Sequence, residues 1–237
     1  MTSIAEDTLG SLYPFLYGER RDERDLAAGL VESLRRKAGD SVEVKRRFFE
    51  ENAEAVVAVA RAIAGVYRGG GRLFTMGNGG SFCDAAHIAV EFQHPVTAGR
   101  PALPATCLTA DVAVMTAVGN DVGFEHVYLR QIVAHGRAGD GLIGVSTSGN
   151  SANLMAAFDK AKALGLTTVG LAGMAGGAMA RSASLDHCLV VPSDSIHRIQ
   201  ECHVAIYHIL WDLVHSLLAD TRGGLAAGSG PAEGAAP

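Results

Sequence analysis

Between Leu26 and Tyr67 apolar residues recur at helical spacing; beyond Gly71 the pattern changes to short apolar runs separated by amphipathic stretches. Leu26, Leu30 and Leu34 repeat every four positions. Phe49, Val56, Ala60, Ile63 and Tyr67 then follow a second helical stripe, which Gly69-Gly-Gly71 ends. Two N-terminal helices are therefore expected. Strands are expected at 72–76, 105–108, 141–145, 167–171 and 187–191. The segments between them read as helices at 81–92, 111–117, 125–134 and 152–164, with a short one at 178–182 and a long final one at 197–219. Strands alternating with helices imply parallel βαβ units, and the expected fold is α/β: a doubly wound parallel sheet flanked by helices.

Residues 1–39 read as a partly helical N-terminal extension whose aromatic cluster at 12–17 is suited to docking. Residues 40–220 read as one domain. Residues 221–237, rich in Gly, Ala and Pro without an apolar period, read as a disordered tail.

Composition adds exclusions. A chain of 237 residues that is 48% hydrophobic can bury a full core in one large domain. A net charge of −5 and a pI near 6.0 argue against a nucleic-acid partner, which calls for a basic face. The start of the chain has no apolar signal core, and no apolar run reads as a membrane span, so a soluble, cytoplasmic protein with no membrane partner is expected. Cys83, Cys107, Cys188 and Cys202 form no CxxC pair and read as buried free thiols in a reducing compartment.

The chemistry concentrates where strands end. The apolar run 141–145 empties into Ser146-Thr-Ser-Gly-Asn-Ser151, which opens a helix. A helix start leaves backbone N–H groups unpaired and carries the positive end of the helix dipole, so this turn is an anion site. Ser146, Thr147, Ser148 and Ser151 add hydroxyl donors, and Gly149 permits close backbone approach. The turn has no lysine, which excludes a P-loop and points to a small phosphate monoester. A second polar turn, Gly77-Asn-Gly-Gly-Ser81, follows the first strand. It reads equally as a plain tight turn with Ser81 as helix cap, or as a sugar-binding loop in which Asn78 and Ser81 reach hydroxyls or a carbonyl. A dinucleotide fingerprint fits less well, because bulky Phe82 occupies the third glycine position.

Two spacings bring reactive groups onto helix faces. His87 and Glu91 stand four apart on the helix 81–92, and Gln200 and His208 eight apart on the last helix. Each pair taken alone also reads as a surface contact or a core histidine.

Together, Gly77-Asn-Gly-Gly-Ser81, Asp84-Ala-Ala-His87, Glu91, Asn120-Asp121, Ser146-Thr-Ser-Gly-Asn-Ser151 and Arg198-Ile-Gln-Glu201 with His208 resemble the sugar isomerase (SIS) family, and within it the phosphoheptose isomerases. The resemblance covers about residues 40–218. It implies a flavodoxin-like SIS fold and conversion of sedoheptulose 7-phosphate to D-glycero-D-manno-heptose 7-phosphate by enediol proton transfer. It further implies a homotetramer with sites at subunit interfaces and one zinc ion per subunit, without a nucleotide cofactor. Glu91 would be the general base and His208 the acid. Asn78, Gly79, Gly80, Ser81, Asn120, Asp121, Ser146, Thr147, Ser148, Ser151 and Gln200 would bind substrate, and His87, Glu91, Gln200 and His208 would hold the metal.

Two positions depart from that pattern. Phosphoheptose isomerases have a Gly-Arg pair shortly after the glutamate, where this chain reads Phe92-Gln-His-Pro-Val96 with Pro95 in the arginine's place. They have an aspartate where this chain has His197. These departures leave open an isomerase of another phosphosugar, or a non-catalytic SIS module such as a phosphosugar sensor or a replication-initiator-associating protein. Retention of Glu91 and His208 favours the enzyme.

Overall fold

The computed structural model describes residues 23–220; the expected aromatic cluster at 12–17 and the tail at 221–237 lie outside them. The first helix, α1, runs unbroken over Glu23–Arg68. The expected pair of N-terminal helices is thus one helix. Between the two stripes Gly39 is the strongest helix breaker and no proline occurs; one interior glycine costs about 1 kcal/mol, too little to end a helix without a proline or a capped turn. The chain divides into two units, one up to Val42 and one from Glu43. In the first unit Leu26, Leu30, Val31, Leu34 and Val42 are exposed.

The second unit alternates as the periodicity predicts. Its elements are β1 (Leu73–Gly77), α2 (Gly80–Gln93), β2 (Ala105–Cys107), α3 (Val112–Asp121), α4 (Val127–His135), β3 (Gly141–Ser146), α5 (Ala152–Ala163), β4 (Thr167–Gly173), β5 (His187–Val191) and α6 (Ile196–Asp220). Short 3-10 turns occupy Phe124–His126 and Met179–Arg181, the latter where a short helix was expected. All strand pairs are parallel, and the order is β2-β1-β3-β4-β5.

Strand alternation sorts the core into two layers. Leu73, Ile143, Val145, Val169, Leu171 and Leu189 face one side, packed by Phe48, Val59 and Ile63 of α1, Ile88 and Phe92 of α2, and Ile206, Leu210 and Val214 of α6. Phe74, Met76 and Leu142 face the other, covered by Tyr128 and Ile132 of α4 and by Leu154 and Phe158 of α5. The product is a three-layer α/β/α sandwich.

α6 does reach the length and apolar content of a membrane span, contrary to expectation, with mean hydropathy 1.3 over its most apolar window. Its apolar character has another cause: 44% of that window is buried within the fold, against the sheet. The cysteines are free, and of the four only Cys202 is fully buried; Cys83 is exposed, so buried thiols were expected too broadly. Cys83 sits on the outer side of α2, between the buried positions Ser81 and Asp84.

His203 anchors α6 to the sheet. Its ring is fully buried, and Nε2 lies 2.9 Å from the carbonyl oxygen of Ala172, near the end of β4. Burial pushes its pKa down to about 4, with the Ala172 bond opposing weakly. A histidine held neutral in the fold titrates near 6.5 when unfolded, so the unfolded chain binds the extra proton between those values. Its contribution is intact above pH 6.5 and is lost as pH falls through 4, by about 3 kcal/mol between pH 7 and pH 4. Urea unfolding should register that loss in the wild type. In His203→Gln, which keeps a donor for Ala172, the acid loss should shrink by a similar amount; equal losses in both proteins would refute the assignment.

Candidate active site

The order 2-1-3-4-5 reverses direction between β1 and β3, and in such sheets ligands bind at that point, beyond the carboxyl ends of the strands. The two polar turns singled out in the sequence leave β1 and β3, so they lie side by side there. An amide pair ties them together. Asn78 Nδ2 donates to Asn153 Oδ1 and Asn153 Nδ2 donates to Asn78 Oδ1, both at 2.9 Å. The buried Tyr128 braces the first turn from α4, its hydroxyl donating to the carbonyl of Gly77 and, at 3.1 Å, to Asn78 Oδ1.

The serine turn is built around Gly149. Its φ is +65°, and a Cβ there would lie 2.1 Å from the carbonyl oxygen of Gly176, so only glycine fits. Ser146 Oγ lies 3.0 Å from Ser151 Oγ and accepts from the Gly149 N–H at 3.2 Å. Ser148 Oγ accepts from the Asn150 N–H at 3.3 Å, and Asn150 Oδ1 pins Ala178 N–H at 2.8 Å. Ser151 stands at the cap position of α5 without bonding to its backbone; within that first turn Leu154 N–H is taken by Asn153 Oδ1. Thr147, Ser148 and Ser151 are half-buried, and Ser146 is buried. The result is a cluster of hydroxyls at a helix N-terminus, suited to an oxyanion.

α2 starts beside it with Gly79 as its cap, at φ +57°, and no capping side chain. Gly80 follows, where a Cβ would stand 2.0 Å from Gln200 Nε2. The Gln200 amide thus lies directly over the helix start. Ser81 is buried in the first turn.

Two turns further along, His87, Glu91 and His208 converge, with one potential ligand atom from each lying within 4.8 Å of the others. His87 Nε2 is 3.0 Å from Glu91 Oε1, and the His87 and His208 rings meet edge to face at 5.0 Å. Glu91 is the more enclosed of the first pair, its side chain 19% exposed against 41% for His87. Trp211 holds the helix behind it, its Nε1 donating to the Glu91 carbonyl at 2.8 Å. Two imidazoles and a carboxylate are a donor set suited to zinc, which in catalytic sites takes three protein ligands and keeps one position open. Gln200 stands eight residues before His208 on α6, at Gly80.

Three residues to which the sequence reading assigned no role support the site, two at this cluster and one, Asn153, between the turns. The Tyr207 hydroxyl lies 2.8 Å from His87 Nδ1, and Tyr207 is 3% exposed. Asp84, one turn before His87, is buried; burial pushes its carboxyl up to about 6, and the His87 charge opposes. Its Oδ2 atom has no hydrogen-bond partner among the described residues. Asn153 is the third. Tyr207 follows the apolar stripe of α6 and Asn153 reads as an ordinary first-turn residue, so only their partners reveal them.

Other expected residues lie elsewhere. Asn120 and Asp121 are exposed at the end of α3, where Asn120 Nδ2 donates to Asp121 Oδ1 at 2.8 Å. That helix packs beside α4 and buries none of its residues fully. His197 is exposed on the first turn of α6 and Pro95 half-buried in the loop after α2.

Known proteins are similar to this chain in sequence and in fold. The SIS domain family model matches residues 38–173. The phosphoheptose isomerase of Roseiflexus sp. (strain RS-1) is 44% identical over 178 residues, which span 75% of this chain and 89% of that protein. A solved phosphoheptose isomerase from Francisella tularensis superposes with a TM-score of 0.75 at 34% identity, covering 78% of this chain and 98% of that one. The structure of phosphoheptose isomerase from Neisseria gonorrhoeae gives 0.74 at 36%, covering 79% and 99%. A three-layer sheet with its phosphate-suited turn at the strand reversal is accordingly the frame of a sugar-phosphate aldose–ketose isomerase, and the chain belongs to the SIS-domain family as a phosphoheptose isomerase.

Proposed function

We propose that the chain interconverts sedoheptulose 7-phosphate and D-glycero-D-manno-heptose 7-phosphate, with the phosphate held by the serine turn and the proton moved by Glu91. The convergence of His87, Glu91 and His208 from α2 and α6 is the observation that carries this reading. Aldose–ketose isomerisation needs a base next to C1 and C2 and an acid at the carbonyl oxygen, both held in a partly dry pocket. Glu91 Oε1 faces His87, which leaves Oε2 to take the C1 proton and return it to C2. His208, on the opposing helix, donates to the carbonyl oxygen and opens the sugar ring. Ser146, Thr147, Ser148 and Ser151 bind the phosphate, while Asn78, Gly79, Gly80, Ser81 and Gln200 bind the sugar between anchor and base.

His87, Glu91, His208 and Gln200 are the residues that would hold zinc. The ion, when bound, supplies a Lewis acid that stabilises negative charge on the enediolate oxygens.

His208 is exposed in the single chain, as are Asn120 and Asp121. A homotetramer with sites at the subunit interfaces accounts for this, since a second copy would cover His208 and bring further polar groups to the sugar. The apolar Leu26, Leu30 and Leu34 offer surface for the same assembly.

The test is an isomerase assay with zinc over a panel of phosphosugars. Turnover of sedoheptulose 7-phosphate above the other sugars is expected, and no turnover of it would overturn the named substrate. Ser148→Ala should raise KM about tenfold with kcat little changed, because a phosphate contact is made equally in ground and transition states. A fall in kcat alone would remove Ser148 from the phosphate site.

A further inference from the structure

We propose that Tyr207 is the positioning residue of the metal-binding histidine: its hydroxyl holds the His87 ring by Nδ1 in both protonation tautomers and so reserves Nε2 for the metal. The inference rests on the zinc reading above.

The geometry leaves one choice of ligand atom. His87 Nδ1 is engaged by the Tyr207 hydroxyl at 2.8 Å, and Nε2 faces Glu91 Oε1 at 3.0 Å. Only Nε2 therefore points into the space that Glu91 and His208 share.

A hydroxyl suits this place better than the carbonyl or carboxylate that usually backs a ligating histidine. Without metal, an ionised Glu91 accepts the Nε2 proton, so Nδ1 is bare and needs a donor. With metal on Nε2, the ring proton resides on Nδ1 and needs an acceptor. A carboxylate or carbonyl can satisfy only the second state; a phenol donates in the first and accepts in the second. The ring can then keep one orientation while Nε2 exchanges a proton for a metal.

Tyr207 is built for that constancy. It is 3% exposed, and its ring packs edge-on against both His87 and His208, at 5.2 and 4.9 Å. Tyr207 and His208 are adjacent on α6, so one helix carries a ligand and the support of the ligand opposite.

The experiment compares wild-type protein with Tyr207→Phe, which keeps the ring and removes the hydroxyl. Zinc affinity is measured by competition with a chromophoric chelator, and coordination by the visible spectrum of the cobalt-substituted proteins. The variant should bind zinc about 10- to 100-fold more weakly and show an altered cobalt spectrum, while its metal-free melting temperature stays near that of the wild type. Equal zinc affinity and identical spectra would overturn the inference and leave the zinc reading standing. A wild type that takes up no zinc would overturn both. Side-chain nitrogen NMR of zinc-loaded wild type gives a readout independent of how the variant folds. Zinc on Nε2 with a proton on Nδ1 is expected, and zinc on Nδ1 would refute the assignment.

Discussion

Glu91→Gln is expected to lower kcat by about three orders of magnitude, within the range a positioned general base contributes. The amide matches the carboxylate in shape but cannot accept the C1 proton. Its carbonyl oxygen can still accept from His87 Nε2, which lies 3.0 Å from Oε1 in the wild type. The proposed phosphate anchor is separate, on the turn after β3, so sugar-phosphate affinity should change by less than a few-fold. Single-turnover kinetics, together with direct binding of the substrate to the variant, separate the two effects. Activity near that of the wild type would remove Glu91 as the base. Loss of binding equal to the loss of turnover would place it in substrate recognition instead.

Gly149→Ala should be the most damaging substitution away from the reactive groups. Two costs combine there. The residue sits at φ +65°, where a side chain costs about 1 kcal/mol. The new methyl would also meet the Gly176 carbonyl oxygen at 2.1 Å, a backbone atom that cannot swing aside. Either the serine turn or the loop after β4 must move, and stability should fall by about 3 kcal/mol. KM should rise well beyond the Ser148→Ala value, since Ser146 bonds to the Gly149 N–H and the whole cluster of hydroxyls would shift. Gly139→Ala is the control: it shares the positive φ, at +89°, but opens onto free space. That variant should lose only about 1 kcal/mol and keep its KM. Similar losses for both, by chemical denaturation, would show that dihedral strain rather than close approach explains Gly149.

Much of this was legible in the chain. The five strands fall where short apolar runs sit between glycine-rich turns, because strand alternation and helix periodicity are local properties of the sequence. The serine turn was recognisable for the same reason: its hydroxyls, its glycine and its helix are contiguous. Glu91 and His87 were visible as a pair on one helix face.

Long-range contacts were not legible from spacing; that His208 joins His87 and Glu91 was expected only from the family resemblance. A four-residue spacing says that His87 and Glu91 share a face, but not that His208 faces them from α6. Tyr207 looks like one more apolar-stripe residue until its hydroxyl is seen against His87 Nδ1. Asn153 looks like any first-turn residue until it pairs with Asn78 across the strand reversal. The N-terminal helix shows the opposite limit. Two separate stripes read as two helices, yet the backbone between them has nothing to stop it, and one helix results.

By itself, then, the sequence determined the order of elements, the parallel sheet they imply and the hydroxyl-rich turn at Ser146–Ser151 that opens a helix. Each of these depends on residues a few positions apart. Tertiary structure alone decided that this turn lies against Gly77–Ser81 at the sheet reversal, that Gln200 rests on Gly80, and that α6 brings Tyr207 to His87. Those distances are set by how α2 and α6 pack on one face of the sheet, which no local pattern encodes.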